Sequence, residues 1–169
     1  IIINYKHTMD CVDLKDEWAL WFHSINDNKW GKPSYQILFN LANLYDTNLI
    51  LDTFKQNHYQ NGMFFVMKKD IFPNWEDPSN RMGGCLSFKI SSTNVISEWK
   101  NIFLKCILDE LLKDNNDKIN GLSISPKKEF NIIKIWFSES IEYKNLFIDN
   151  KDSEVILSNS LYKKHVIEN

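Results

Sequence analysis

Nothing in this 169-residue sequence is built to cross a membrane: no apolar run approaches the roughly 18–20 residues a helical span requires. Ile1-Ile2-Ile3 is far too short for a signal sequence. Cysteine is scarce as well. Cys11, Cys85 and Cys106 are odd in number and widely spaced, with no CxxC pair, so neither a disulfide framework nor a thiolate metal site is expected. His7, His23, His58 and His165 show no i, i+4 ligand spacing, and no cofactor is expected. These absences point to a reducing, cytoplasmic setting. A basic surplus is missing too. A net charge of −2 and a pI near 6.1 argue against broad electrostatic binding along a nucleic-acid backbone. Any RNA partner must be gripped at one point. Finally, the sequence has no GxSxG, HExxH, P-loop lysine motif or Gly-rich dinucleotide fingerprint. Glu76 and Asp77 are adjacent but have no second acid or nucleophile to work with, so no enzyme is expected.

The apolar share of 43% is that of a globular chain, and the length suits one domain over residues 1–169, expected to be monomeric. The chain opens on Ile, and we expect an N-terminal extension to have been trimmed from it. Asn, Ile and Lys are abundant throughout, as in coding from an AT-rich genome, so single Lys and Asn residues carry little weight.

Strand-like segments dominate. Trp18–His23, Tyr35–Phe39 and Gly62–Lys68 are rich in aromatic and apolar residues. Cys85–Ser91 alternates, with Leu86, Phe88 and Ile90 on one side and Ser87, Lys89 and Ser91 on the other. Ile119–Ser125 and Phe130–Ser138 are joined through Pro126-Lys127-Lys128-Glu129 as a hairpin. Val155–Leu157 and Val166–Ile167 supply two final strands. Helices are expected at Thr47–His58 and Val95–Lys113, the second with Trp99, Ile102, Phe103, Cys106 and Ile107 at helical spacing, and a short third near Glu142–Ile148. Hairpin-length connections favour an α+β domain, an antiparallel sheet with helices on one face and the other face open.

Two tryptophans are out of place for a core. Trp30 lies in Asn28-Lys29-Trp30-Gly31 and Trp75 in Pro73-Asn74-Trp75-Glu76-Asp77-Pro78, both among turn-forming residues. Two such rings, about forty-five residues apart, can close on a base from both sides. Stacking is worth roughly 1–3 kcal/mol per base. A cationic base gains about 2 kcal/mol more when desolvated. The Glu76 carboxylate accepts charge-assisted hydrogen bonds from guanine's N1–H and exocyclic amine, each on the order of 1.5–3 kcal/mol. Adenine lacks both donors, and an N7-methylated guanine carries the charge. The competing reading has both rings folded back as satellite core residues.

With these residues in view, the sequence resembles the eukaryotic translation initiation factor 4E family, which binds the mRNA 5′ cap. The resemblance is carried by Trp18-Ala19-Leu20-Trp21-Phe22, by Lys29-Trp30, and by Ile71-Phe72-Pro73-Asn74-Trp75-Glu76-Asp77 followed by Arg81-Met82-Gly83-Gly84. Cys106-Ile107-Leu108-Asp109-Glu110, Gly121 and Lys134-Ile135-Trp136 continue it, from about Leu14 to Ser138. It implies a curved antiparallel sheet with about three helices on its convex face and a cap-binding slot on the concave face. It places the stacking pair on Trp30 and Trp75, the guanine edge reader on Glu76 and the N7-methyl contact on Trp136. Alternation agrees with the last, since Trp136 shares a strand face with Ile132 and Lys134, opposite Ile133, Ile135 and Phe137.

The resemblance thins at the phosphates. The family's first basic residue before the Trp136 strand falls on Lys127, the second on Ile132, and a further arginine after the glycine pair on Cys85. An acidic brace falls on Met63. The triphosphate is therefore expected on Lys127, Lys128 and the late Lys163-Lys164-His165 cluster. The implied partners are capped mRNA (m7GTP, m7GpppN) and a 4G-like scaffold or 4E-binding protein on the convex face, docking through Leu14, Leu49, Leu104 and Leu108. In the family that surface includes a His-Pro-Leu segment, read here as Val12-Asp13-Leu14, and a helix tryptophan that this sequence lacks. The expected function is cap binding that promotes translation initiation, with a divergent cap-holding repressor or interaction module as the alternative.

Overall fold

The computed structural model describes residues 12–165. Its strands are β1 (Asp13–Ser24), β2 (Tyr35–Asn43), β3 (Gly62–Lys68), β4 (Gly84–Ser91), β5 (Ile119–Pro126), β6 (Phe130–Phe137) and β7 (Ser160–Lys164). They form one 7-stranded sheet in the order β2-β1-β3-β5-β6-β4-β7. Every neighbouring pair is antiparallel. Three α-helices, α1 (Leu44–Thr53), α2 (Gln56–Asn61) and α3 (Val95–Ile107), pack on one face of the curved sheet. The α+β architecture expected from the sequence is the one found.

Alternation decides which side chains meet the helices. On β6, Ile133, Ile135 and Phe137 are buried in the core with Leu86, Phe88 and Ile90 of β4, while Trp136 belongs to a separate cluster on the opposite face. From the helical side α3 presents Val95, Trp99, Ile102, Phe103 and Cys106 to that core. Each large side chain removed from water there contributes about 1.5–3 kcal/mol. On the other face Phe65, Met67, Cys85 and Trp136 form a thinner layer, edged by Trp21, Tyr35, Met63 and Ile71.

Several element boundaries differ from the sequence reading. The helix expected over Thr47–His58 is two helices, because Phe54 and Lys55 adopt extended backbone angles. The break lets the Phe54 ring turn inward against Phe64, 5.0 Å between centroids, and the Lys55 N–H bonds His58 Nδ1 at 2.8 Å. Aromatic burial outweighs helix continuity there. The helix expected to reach Lys113 stops at Ile107: Asp109 takes a left-handed conformation (φ 57°) and Lys15 holds its carboxylate at 2.8 Å. Leu111 and Leu112 are buried outside the helix, and Leu112 bridges Phe147. The third helix expected near Glu142–Ile148 is a single 3₁₀ turn, Tyr143–Asn145. Val155–Leu157 is not a strand; Val155 is buried in the core, and the last described strand is β7. Val166–Ile167 lies outside the described residues. Pro126 ends β5, so the hairpin is closed by Lys127, whose N–H bonds the Phe130 carbonyl at 2.7 Å.

Candidate functional site

The sheet face opposite the helices carries a cleft of about 740 Å³. Tyr35, Met63, Phe65 and Trp136 line its apolar part, Trp30 and Gly31 come from the β1–β2 loop, and Pro73 to Glu76 come from the β3–β4 loop. Ser123, Ser125, Lys127 and Lys134, from β5, β6 and their hairpin, supply the polar side.

Trp30 is 52% exposed and held by what lies behind it. His23, fully buried on β1, stacks on the indole at 4.4 Å with the planes 8° apart. Its Nδ1 faces the Ser24 carbonyl at 2.8 Å and its Nε2 the Lys29 carbonyl at 2.7 Å, tying the loop to the strand. Asp27 completes the turn by accepting from the Lys29 N–H at 2.9 Å. Tyr35 meets His23 edge-on at 4.6 Å, and burial pushes its phenol up to about 12. It is a neutral wall at physiological pH.

Trp75, 48% exposed, rides on a loop knotted by two polar side chains. Asp77 accepts from the N–H groups of Phe72 (3.1 Å) and Ser79 (2.9 Å). Asn80, fully buried, donates to the carbonyls of Phe72 (3.1 Å) and Asn74 (2.9 Å) and accepts from Asn120 at 2.9 Å. Leaving such a buried group unsatisfied costs about 1–3 kcal/mol, which opposes any departure from this loop shape. Glu76 N–H bonds Asn74 Oδ1 at 3.0 Å, while the Glu76 carboxylate itself is exposed and has no partner among the described residues. The loop re-enters the sheet at Gly83, where a Cβ would lie 1.8 Å from the Phe137 carbonyl oxygen, so only glycine fits.

Trp136 is 7% exposed. Its Nε1–H donates to Ser123 Oγ at 2.9 Å, which fixes the ring against rotation, and Phe65 meets it edge-on at 6.4 Å. Beside it His165 spans two elements, Nε2 at 3.1 Å from Cys85 Sγ and Nδ1 at 2.8 Å from the Asn80 carbonyl. Burial pushes the Cys85 thiol up to about 12 and the His165 imidazole down, so both are neutral and this corner carries no charge of its own.

Residues 13–166 match the family model "Eukaryotic initiation factor 4E". The chain belongs to the eukaryotic initiation factor 4E family. It is 26% identical over 151 residues to the "Eukaryotic translation initiation factor 4E homolog" of Acanthamoeba polyphaga mimivirus, covering 72% of this chain and 55% of that protein. It is 22% identical over 152 residues to the initiation factor 4E of Saccharomyces cerevisiae, covering 89% and 66%. The chain thus spans between half and two thirds of the length of these relatives. Among solved structures, a schistosome eIF4E complexed with m7GpppG and 4E-BP superposes with a TM-score of 0.70 at 18% identity, over 80% of this chain and 77% of that one. At that identity the likeness establishes the fold.

Of the residues expected from sequence, the 4E fold brings Trp30, Trp75, Glu76, Trp136 and Lys127 around one cleft. Lys128, Lys163 and Lys164 do not line it. Lys163 pairs with Cys85 at the sheet edge and shares its face, whereas Lys164 pairs with Gly84 and takes the alternate, helical side. On the helical face Leu14 and Leu108 meet around a second, smaller cavity of about 170 Å³, with Val12 and Leu44. Leu49 is exposed on α1, and Leu104 is half-buried against the core; neither lines that cavity. Sequence reasoning missed His23, Asn80 and Lys134. For Lys134 the signal was present, since its strand parity with Trp136 already put it on the cleft side. No local pattern marks His23 or Asn80, whose partners come from distant segments.

Proposed function

We propose that this chain binds the 7-methylguanosine 5′ cap of mRNA and promotes translation initiation, in the cytoplasm, as a single-domain monomer that acts by binding and not by catalysis. The observation that carries the reading is the meeting of Trp30, Trp75 and a Glu76 carboxylate without a partner among the described residues around one cleft, with Trp136 at its base. Trp30 and Trp75 stack the methylated base, Glu76 accepts from its N1–H and exocyclic amine, and Trp136 meets the N7-methyl group. The cation–π contribution of about 2 kcal/mol separates methylated from neutral guanine. Titration of the intrinsic tryptophan fluorescence is expected to show m7GTP binding at least about tenfold tighter than GTP. Equal affinities would sink the reading.

The helical face supports a partner there, a 4G-like scaffold or 4E-binding protein. Val12, Tyr45, Leu49 and Leu108 are exposed apolar residues on this side, and Leu14 and Leu108 frame the small cavity. An amphipathic helix of the partner docks its apolar side chains into that groove. Replacing Leu108 with glutamate is expected to weaken capture of a 4E-binding-protein peptide by about tenfold or more, with cap affinity unchanged, because it buries a charge at the contact. Unaltered capture in a pull-down would remove this surface from the proposal.

A further inference from the structure

The phosphate positions implied by the family resemblance fall on Lys127, Ile132 and Cys85, so two of the three cannot hold an anion. Cys85 is buried and engaged by His165, and Ile132 is apolar. None of those positions falls on Lys134. Yet Lys134 lines the cleft together with Lys127, Ser123, Ser125 and Trp136. It stands in the middle of the sheet, paired with Ser123 on β5 and with Ser87 on β4. No carboxylate lies within ion-pair reach of its ammonium among the described residues. Lys134 is half-buried as a residue and lines the cleft, so an ammonium without a counter-ion there is open to an incoming anion. The lysine is also close to the gap in the phosphate path: burial dominates at both the Cys85 thiol and the His165 imidazole, and the Lys134 charge acts on both, partly offsetting the rise at Cys85 and adding to the fall at His165.

We propose that Lys134 is a phosphate ligand of this chain, supplying from β6 the positive charge missing at Cys85 on the adjacent β4 and at Ile132, two residues before it on the same strand. It holds the cap's phosphate chain from the sheet floor, while Lys127 holds it from the hairpin rim. Ser123 is committed to Trp136, so the Ser125 hydroxyl is the neutral donor beside them. This rests on the cap-binding reading and adds to it where the family pattern is broken.

The test compares 7-methylguanosine, m7GMP and m7GTP on the wild-type protein and on K134M, by fluorescence quenching at several salt concentrations. A charge-assisted contact of this kind corresponds to a loss of about 10- to 100-fold in affinity. K134M is expected to lose that factor for m7GTP, to bind the nucleoside as the wild type does, and to show a shallower salt dependence. K134R is expected to retain most of the m7GTP affinity. Unchanged nucleoside binding shows that the fold is intact, and K134Q supplies the same comparison if the methionine disturbs packing. Wild-type m7GTP affinity in both K134M and K134Q, with the preference over GTP intact, overturns the role of Lys134 alone. Equal wild-type affinity for m7GTP and GTP overturns the cap reading, and this proposal with it.

Discussion

Replacing Trp75 with alanine is expected to abolish retention on m7GTP resin while leaving the melting temperature within a few degrees of wild type. The indole is 48% exposed and belongs to neither buried cluster, so truncation opens no cavity. The loop beneath it is fixed by Asp77 and Asn80, which the substitution does not touch. What disappears is one face of the stack, roughly 1–3 kcal/mol, together with its share of the cation–π attraction of about 2 kcal/mol. The sum corresponds to a loss on the order of 10²–10³-fold. Trp30→Ala is expected to cost a similar factor but to be less neutral for the fold. It uncovers the His23 ring, which lies 4.4 Å behind the indole and is otherwise fully buried. Retention of the Trp75 variant at wild-type levels would leave the stacking assignment without support.

The contrast between these two tryptophans shows what the sequence made legible. Both stood out because large apolar rings sit among turn residues, and Glu76 stood out by following one of them. Strand parity then separated Trp136 from Ile133, Ile135 and Phe137, and the structure keeps that separation: the three aliphatic and aromatic neighbours are in the helical core, Trp136 is not. Every strand through β6 was recognisable in part, the first three from local aromatic and apolar richness and Cys85–Ser91 from period-two alternation, because both signals are local. What was not legible is set by contacts between distant segments. The break at Phe54 depends on Phe64 and Tyr59. The early end of α3 depends on Leu112 meeting Phe147, a pairing no window of sequence contains. The support of the cleft is hidden in the same way. Asn80 receives Asn120 and His165, 40 and 85 residues further along the chain, and His23 closes on a loop carbonyl that only the folded turn brings near. Basic residues for the phosphates were sought by position in a known pattern, and of the four lysines so expected only Lys127 lines the cleft. Lys134 was already on the cleft side by parity and needed only the sheet's register to put it beside Ser123 and Trp136.

Replacing Glu76 with alanine is expected to be the most damaging change to base selection. The carboxylate is exposed, and nothing among the described residues engages it, so no internal bond must be broken before it accepts from a ligand. Its backbone N–H is meanwhile tied to Asn74 Oδ1, which fixes where the side chain leaves the loop. Two charge-assisted hydrogen bonds at about 1.5–3 kcal/mol each put the loss for m7GTP at roughly 10²–10⁴-fold. Glu76→Gln keeps the shape and one acceptor but turns an amide donor toward guanine's own donors, so it is expected to recover little. The decisive comparison uses 7-methylinosine triphosphate, which keeps the methyl charge and N1–H but lacks the exocyclic amine. Wild type should bind it about 10- to 100-fold more weakly than m7GTP, because one charge-assisted bond is missing. In Glu76→Ala the two nucleotides should bind alike, since the group that tells them apart is gone. A preference that survives the substitution would mean that another acceptor reads the amine. The stacking pair alone does not supply that discrimination, because hypoxanthine and guanine offer nearly the same face to an indole.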